Sequence, residues 1–271
     1  MSLAKGIVCT KKPSRCCSPG EDLPAGRWKV HKTFFKGRLC GTADVRRRLW
    51  RREWIRWKRM KVWPGEEEAW DILSELDAKD VAANAGAIFD SHDSTYALTC
   101  LGKEIRISLR DRTIYSESRR GTLLITSLGD YSRLSILRYL IHAKDLPLSG
   151  RLVRPADLPG GDIFTKGTHI LPLDKLAAYF SQRRQEFLQA GQSLGGAQGD
   201  YGDMSLNIFP FQRVPVALIL WSGDEEFPST ASLLFDSSCV SHLPPDVIWS
   251  TSMMTVEMML NYSFVSGSRS L

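Results

Sequence analysis

The chain lacks the long apolar segments that mark membrane and secreted proteins. No stretch approaches the roughly 18 consecutive apolar residues that a membrane-spanning helix requires. Residues 1–10 contain few apolar side chains and lead directly into Lys11 and Lys12, whereas a signal peptide would continue into a long apolar core. We therefore expect a cytoplasmic protein without a transmembrane segment.

The sequence also has little of the machinery of the common enzyme classes. It contains no Cys-x-x-Cys pair and no His-Glu-x-x-His helix, and we expect no nucleophile elbow. The glycine-rich residues 195–199 follow a predicted helix rather than a strand, so they lack the helix N-terminus that binds phosphate in nucleotide-binding loops. We leave open whether the protein is an enzyme, and we name no catalytic residue and no cofactor.

An excess of positive charge is confined to one part of the chain. Residues 1–60 hold 17 Lys and Arg against 4 Asp and Glu, whereas the remainder holds 19 against 26. The net charge of +6 therefore conceals a basic region and an acidic region that meet near Met60. We predict a basic segment over 1–60 and an acidic domain over 61–271, and for this domain nucleic acid is not an expected partner.

The basic segment has no hydrophobic period and is predicted to be disordered. Its end, residues 45–63, is able to form a helix with Trp50, Trp54 and Trp57 on one face, which would suit an anionic membrane surface or a nucleic-acid backbone. An alternative is that translation starts at Met60, so that residues 1–59 do not belong to the native protein. The spacing of Cys9, Cys16, Cys17 and Cys40 matches neither a zinc site nor a ferredoxin cluster, so we predict no metal site there.

Beyond Trp63 the hydrophobic periods predict an α+β fold with mixed helices and mainly antiparallel strands. A small antiparallel meander is predicted over 87–115, and a long irregular segment with four prolines over 146–172. The strand predicted at 214–221 is apolar throughout, so it should lie inside the sheet. Helices are predicted from Glu66 to near Gly86 and over 130–144, 173–191 and 246–261, and two further strands over 205–209 and 231–235.

Short motifs that contain glycine, carboxylate residues and proline separate the apolar runs of residues 160–245. They comprise Gly160-Gly161-Asp162-Ile163-Phe164, Gly167-Thr168-His169-Ile170-Leu171-Pro172, Asp200-Tyr201-Gly202-Asp203, Arg213-Val214-Pro215, Leu220-Trp221-Ser222-Gly223-Asp224-Glu225-Glu226-Phe227-Pro228, Leu234-Phe235-Asp236-Ser237-Ser238 and Leu243-Pro244.

In combination these motifs resemble a domain-of-unknown-function family of anaerobic bacteria and archaea, over about Glu66 to Asn261. Some members of that family carry an N-terminal four-cysteine iron–sulfur module like that of corrinoid iron–sulfur proteins. The resemblance implies a corrinoid or iron–sulfur protein as partner. The N-terminal cysteines of this chain depart from the spacing of that module.

Five residues of these motifs are our candidates for cofactor binding: Asp162, His169, Asp203, Asp224 and Glu225. A histidine with nearby carboxylates is able to bind a metal or to move protons, although a structural role for His169 in its loop is the competing interpretation. We also expect the acidic loop at 224–226 and Asp236 to lie at opposite ends of neighbouring strands, which would separate these carboxylates.

Three functions remain open from the sequence. The preferred one is an accessory domain that binds a cofactor or metalloprotein of anaerobic metabolism. The second is an enzyme that uses His169 with an acidic partner. The third is a nucleic-acid or membrane-surface binder that acts through the Arg- and Trp-rich residues 45–63.

Overall fold

A computed structural model of the chain describes residues 65–165 and 169–261, and for Ile163 and Thr165 it describes the backbone alone. The predicted basic helix at 45–63, the four N-terminal cysteines and the predicted junction near Met60 lie outside the described residues.

One antiparallel sheet contains the nine strands of the described residues, in the order β4-β3-β2-β7-β8-β9-β5. The short strand β1 also pairs with β2, and β6 pairs with β7. The strands are β1 (Ile88–Asp90), β2 (Thr95–Cys100), β3 (Lys103–Ser108), β4 (Thr113–Tyr115), β5 (Leu152–Val153), β6 (Ala197–Gly199), β7 (Met204–Phe211), β8 (Val214–Trp221) and β9 (Thr230–Asp236).

The sheet consists of two parts that meet at a narrow seam. The meander β1–β4 joins the later strands through a single residue pair, Cys100 with Phe211. The ring of Phe211 stacks on Tyr139 with 4.4 Å between the ring centroids. Tyr139 belongs to a helix, whereas at the seam itself the Leu101 N–H donates to the Pro210 oxygen at 3.2 Å, beside the Cys100–Phe211 pair.

Seven α-helices occur in the described residues, and α4 is the helix around which most others pack. Its contacts include α1, α2, α3 and α7, while α5 and α6 pack on β9 and β7. The helices are α1 (Glu66–Glu75), α2 (Ala78–Ala85), α3 (Arg119–Thr126), α4 (Gly129–His142), α5 (Leu173–Phe180), α6 (Arg184–Ser193) and α7 (Pro245–Leu260).

Two of the predicted helices are wrong in the same way, because each is two helices. The segment predicted from Glu66 to Gly86 breaks at Leu76, and Asp77 caps α2 by accepting hydrogen bonds from the backbone N–H of Lys79 and Asp80. The segment predicted over 173–191 breaks at 181–183, between α5 and α6. The helix α3 was not predicted at all.

The hydrophobic core is one continuous cluster that extends from Ala69 to Met259 and includes side chains of both the sheet and the helices. The strand β8 lies between β7 and β9, as predicted, and nearly all its residues are buried. The α+β fold, the antiparallel meander and the irregular segment after α4 are confirmed. No helix within the described ranges is long and apolar enough to cross a membrane.

Candidate functional site

The predicted site residues lie at two separate places. Asp203, Asp224 and Glu225 are in the loops at the end of the sheet where Trp221 pairs with Thr230. Asp162 and His169 lie on the irregular segment that packs against α7, which follows the opposite end of β9. The seven residues of β9 span roughly 20 Å at a rise of about 3.3 Å per residue.

At the end of the sheet near Trp221, two loop carboxylates accept hydrogen bonds from backbone N–H groups of the loops. The Asp224 carboxylate accepts hydrogen bonds from the backbone N–H of Phe227 (2.7 Å) and Glu226 (2.9 Å), which hold the pKa of Asp224 below its usual range. The Asp203 carboxylate accepts from the backbone N–H of Ser222 at 2.8 Å. Both side chains therefore have a role in loop structure, while Glu225 points into solvent.

His169 packs on the side of α7. Its ring contacts the indole of Trp249 in an edge-on arrangement, with 4.7 Å between the centroids, and the Trp249 Nε1–H donates to the His169 backbone oxygen at 2.8 Å. In the part of the chain that the structure describes, no hydrogen bond or ion pair links the His169 side chain to a carboxylate. Asp162 is exposed in the 3-10 turn Gly161–Thr165, on the same irregular segment.

A groove of about 370 Å³ lies beside this segment, and sequence reasoning did not find it. Its walls are mainly apolar, and three polar residues, His142, Lys144 and Ser241, converge on it. Asp162 and His169 are near it in the chain, but neither lines it. The other lining residues are Pro159, Val240, Leu243, Pro244 and Pro245.

The groove residues come from three parts of the chain that the fold brings together. His142 ends α4 and Lys144 follows it, Pro159 belongs to the irregular segment, and residues 240–245 connect β9 to α7. Gly160 adopts a left-handed backbone conformation, and a Cβ there would lie 3.1 Å from Pro245. Only glycine allows the segment to pass so close to the start of α7 without strain.

The imidazole groups near the groove are kept neutral. Burial, followed by the positive charge of Arg138, lowers the pKa of His142, although Asp246 opposes this. Burial, followed by Arg213 and Lys144, lowers the pKa of His242. A neutral imidazole offers one nitrogen as an acceptor or metal ligand at pH 7.

His242 links two of the chain segments that line the groove. It is fully buried between the lining residues Ser241 and Leu243, and its Nδ1 accepts a hydrogen bond from the backbone N–H of Lys144 at 3.3 Å. With Nδ1 as the acceptor, Nε2 carries the proton, and this N–H has no hydrogen-bond partner among the described residues.

Asp236 fixes the adjoining end of the sheet. Its buried carboxylate accepts hydrogen bonds from the backbone N–H of Ser149 (3.0 Å), Gly150 (2.7 Å) and Ser238 (2.9 Å), and from the Ser149 hydroxyl (2.8 Å). Burial alone would raise the pKa of Asp236, but the hydrogen bonds from Ser238 and Ser149 hold it well below its usual range. The Leu-Phe-Asp-Ser-Ser motif therefore stabilises the end of β9 beside the groove.

Two further sequence motifs also have a structural explanation. Arg213 donates to the backbone oxygens of Asn84 (3.3 Å) and Ala83 (3.4 Å) in the last turn of α2, and it forms an ion pair with Asp145 at 2.7 Å. The sequence Gly191-Gln192-Ser193-Leu194-Gly195 has the spacing of a nucleophile elbow. It ends α6, however, and is not a strand-to-helix turn, so it lacks the geometry of that motif.

The two described cysteines and the acidic side chains do not form a metal site. Cys100 and Cys239 are fully buried, as predicted, and burial raises the pKa of Cys239 to about 12 and that of Cys100 further. Within residues 65–165 and 169–261, no three His, Cys, Asp or Glu side chains are grouped closely enough to hold a metal ion.

The sequence matches one family model, Domain of unknown function (DUF3786), over residues 77–258. This match lies within the Glu66–Asn261 span expected from the motifs. Neither a curated protein nor a solved structure matches the chain significantly.

Proposed function

The chain belongs to the DUF3786 family, and we propose that it is an accessory domain that binds a cofactor or a metalloprotein of anaerobic metabolism at the groove beside α7. The observation that supports this proposal most directly is the composition of the groove. It is mainly apolar, with a few polar groups that converge on it, as is usual for ligand sites in proteins.

The chemistry of the groove favours an organic group or a partner surface as the ligand. His142 supplies a neutral imidazole and Lys144 a positive charge, so an anionic or metal-bound group with apolar parts fits the lining. The groove has the volume of a small ligand and would accept only an edge of a large macrocycle such as a corrin or haem. In this proposal Asp162 and His169, which do not line the groove, would contact only a ligand that extends beyond it towards the neighbouring segment, whereas Asp203, Asp224 and Glu225 lie too far away to contact the same small group.

An anaerobic titration of the full chain tests the proposal. Hydroxocobalamin, haem and single divalent metal ions would each be added while absorbance and binding heat are recorded. We expect saturable binding of a corrinoid or haem, weakened roughly tenfold by Lys144→Ala or His142→Ala through loss of a charge or an imidazole contact. His92→Ala is the matched control, because His92 is exposed in the turn between β1 and β2, away from the groove.

The proposal would be abandoned if every probe gave flat spectra and heats. It would also fail if His92→Ala weakened binding as much as the groove variants did. The His169→Ala variant serves a separate purpose, because an unchanged affinity would remove His169 from the ligand site while leaving the groove intact.

An enzymatic role for His169 has less support. General acid–base catalysis requires a partner within hydrogen-bond reach, and the described contacts of His169 are to Trp249. Nucleic-acid or membrane binding through residues 45–63 concerns a segment outside the described residues. It predicts strongly salt-dependent binding that is lost when residues 1–59 are deleted.

A further inference from the structure

Three aromatic side chains are exposed together at the end of the sheet opposite the groove. Tyr201 is 47% exposed, Trp221 is 38% exposed and Phe227 is 66% exposed. They belong to the loop before β7, the last position of β8 and the loop between β8 and β9. A Cβ built on Gly202 would lie 3.2 Å from the Trp221 ring, so the first loop lies directly beside Trp221.

Carboxylates surround these aromatic rings. Asp200 and Asp203 flank Tyr201 and Gly202, and the run 224–226 contributes three more acids next to Phe227. Arg184 Nη1 donates to the backbone oxygen of Asp203 at 2.9 Å, and Arg183 precedes it in the chain, so cations are also present nearby. Five acids lie in the loops that carry the rings, and we call this region the acidic-aromatic surface.

The loops that carry this surface are already ordered by internal hydrogen bonds. The Asp224 carboxylate binds two backbone N–H groups, the Asp224 N–H donates to the Phe227 oxygen at 2.9 Å, and the Tyr201 N–H donates to the Ser205 hydroxyl at 2.8 Å. A Cβ on Gly223 would meet the Ser229 nitrogen at 2.6 Å, which shows how tightly the second loop is closed. A partner would therefore meet loops whose backbone is already ordered and would lose little free energy in ordering that backbone.

We propose that the acidic-aromatic surface docks a basic, Arg- or Lys-rich segment of a partner protein. Guanidinium and ammonium groups bind aromatic faces and carboxylates at the same time, and exposed Trp and Tyr are the residue types that dominate binding interfaces. The negative charge repels nucleic-acid phosphates and anionic lipid headgroups. This surface is separate from the proposed ligand groove, so the two proposals stand or fall independently.

Calorimetric titration of the full chain with short peptides tests the docking proposal. One peptide alternates Arg with Gly, and its counterpart alternates Glu with Gly. We expect the Arg peptide to bind with an affinity that falls as salt is added, whereas any binding of the Glu peptide to the basic residues 1–60 should not change when the acidic-aromatic surface is altered. Phe227→Ala and the double variant Glu225→Lys with Glu226→Lys should each weaken binding of the Arg peptide roughly tenfold or more.

The control is Phe209→Ala, because Phe209 is also exposed (41%) but lies towards the far end of β7. All altered side chains are at the surface, so circular dichroism should show an unchanged fold. Failure of the Arg peptide to bind, an equal loss of Glu-peptide binding in the surface variants, or an equal loss with Phe209→Ala would overturn the proposal. Concentration-dependent self-association abolished by the double Lys variant would also overturn it, since the occupant would then be a second copy of this chain.

Discussion

At the scale of single residues, the buried carboxylate of Asp236 is the most informative side chain. It accepts hydrogen bonds from three backbone N–H groups, and these donors lose their partner if the carboxylate is removed. We expect Asp236→Ala to lower the free energy of unfolding by about 3 kcal/mol, measured by urea denaturation at pH 7. Asp224→Ala is the matched control. It also removes an acceptor of two backbone N–H groups, but in an exposed loop, so the free energy of unfolding should decrease clearly less than in Asp236→Ala.

Asp236 also predicts an acid dependence of stability. Its pKa is depressed in the folded state, so its contribution is fully present above the unfolded pKa of about 3.9 and is lost as the pH falls through the folded value. The free energy of unfolding should therefore decrease below about pH 4 in the parent chain. Asp236→Asn, which does not titrate, should flatten this part of the profile, and an unchanged slope would contradict the assignment.

His242 predicts a second pH dependence closer to neutrality. Its pKa is lowered in the folded state by burial, so the unfolded chain takes up the proton first as the pH falls below about 6.5. The contribution of His242 to the free energy of unfolding is therefore fully present above this pH and decreases below it. His242→Asn keeps an acceptor for the Lys144 N–H but does not titrate, so urea denaturation between pH 7.5 and 5.5, roughly, should show a shallower decrease than in the parent chain. The remaining slope reports on His142, whose pKa is lowered too.

At the scale of elements, the close contact between two 3-10 turns determines one wall of the groove. A Cβ on Gly161 would lie 2.4 Å from the backbone oxygen of Pro155, in the turn Pro155–Asp157. We expect Gly161→Ala to force the turns apart and to lower the free energy of unfolding by about 1–3 kcal/mol. Each kcal/mol lost should lower Tm by roughly 2–4 °C. The change is measured by thermal unfolding followed by circular dichroism.

Gly150→Ala separates steric conflict from backbone strain. Nothing lies within 4 Å of a Cβ at Gly150, but its φ of +72° is unfavourable for alanine. The Gly150→Ala variant should therefore lower the free energy of unfolding by only about 1 kcal/mol. If Gly161→Ala lowers the free energy of unfolding no more than Gly150→Ala does, the two 3-10 turns are not tightly packed.

The helices and strands with a clear hydrophobic period were predictable from sequence, and the breaks between them were not. The strand β8 has the bounds that were predicted, because its apolar run ends at Trp221 and is followed by Ser222 and Gly223. The break at 181–183 has neither glycine nor proline, so the local sequence of α5 and α6 gives no signal for it. Asp77 was a recognisable cap, but the helical period on both sides of it concealed the break.

The groove was unpredictable for a different reason. His142 and Lys144 are about one hundred residues from Val240 and Leu243 in the chain, and only the packing of α4 against α7 and the Lys144–His242 hydrogen bond bring them together. The sequence motifs identified the neighbourhood, since Gly160, Leu243 and Pro244 all occur in them. Two of the candidate residues in those motifs, Asp203 and Asp224, instead accept hydrogen bonds that hold loops in place.

At the scale of the whole molecule, one core predicts one unfolding transition. The compact unit that begins at Arg56 contains every core residue that the structure describes. We expect a chain lacking residues 1–55 to unfold in a single cooperative transition, with coincident far-ultraviolet and near-ultraviolet circular dichroism curves. Two separated transitions in the truncated chain would show that the core is divided.

The narrow seam between β2 and β7 has a consequence for how sequence change is tolerated. The groove and the acidic-aromatic surface are both built from elements beyond the meander, which reaches β7 through the Cys100–Phe211 pair and the hydrogen bond from the Leu101 N–H to the Pro210 oxygen. Insertions or altered turn lengths among β1–β4 therefore displace neither binding region as long as Cys100 and Phe211 keep their register. Evolution is free to remodel the outer meander while the inner strands preserve the shape on which recognition depends.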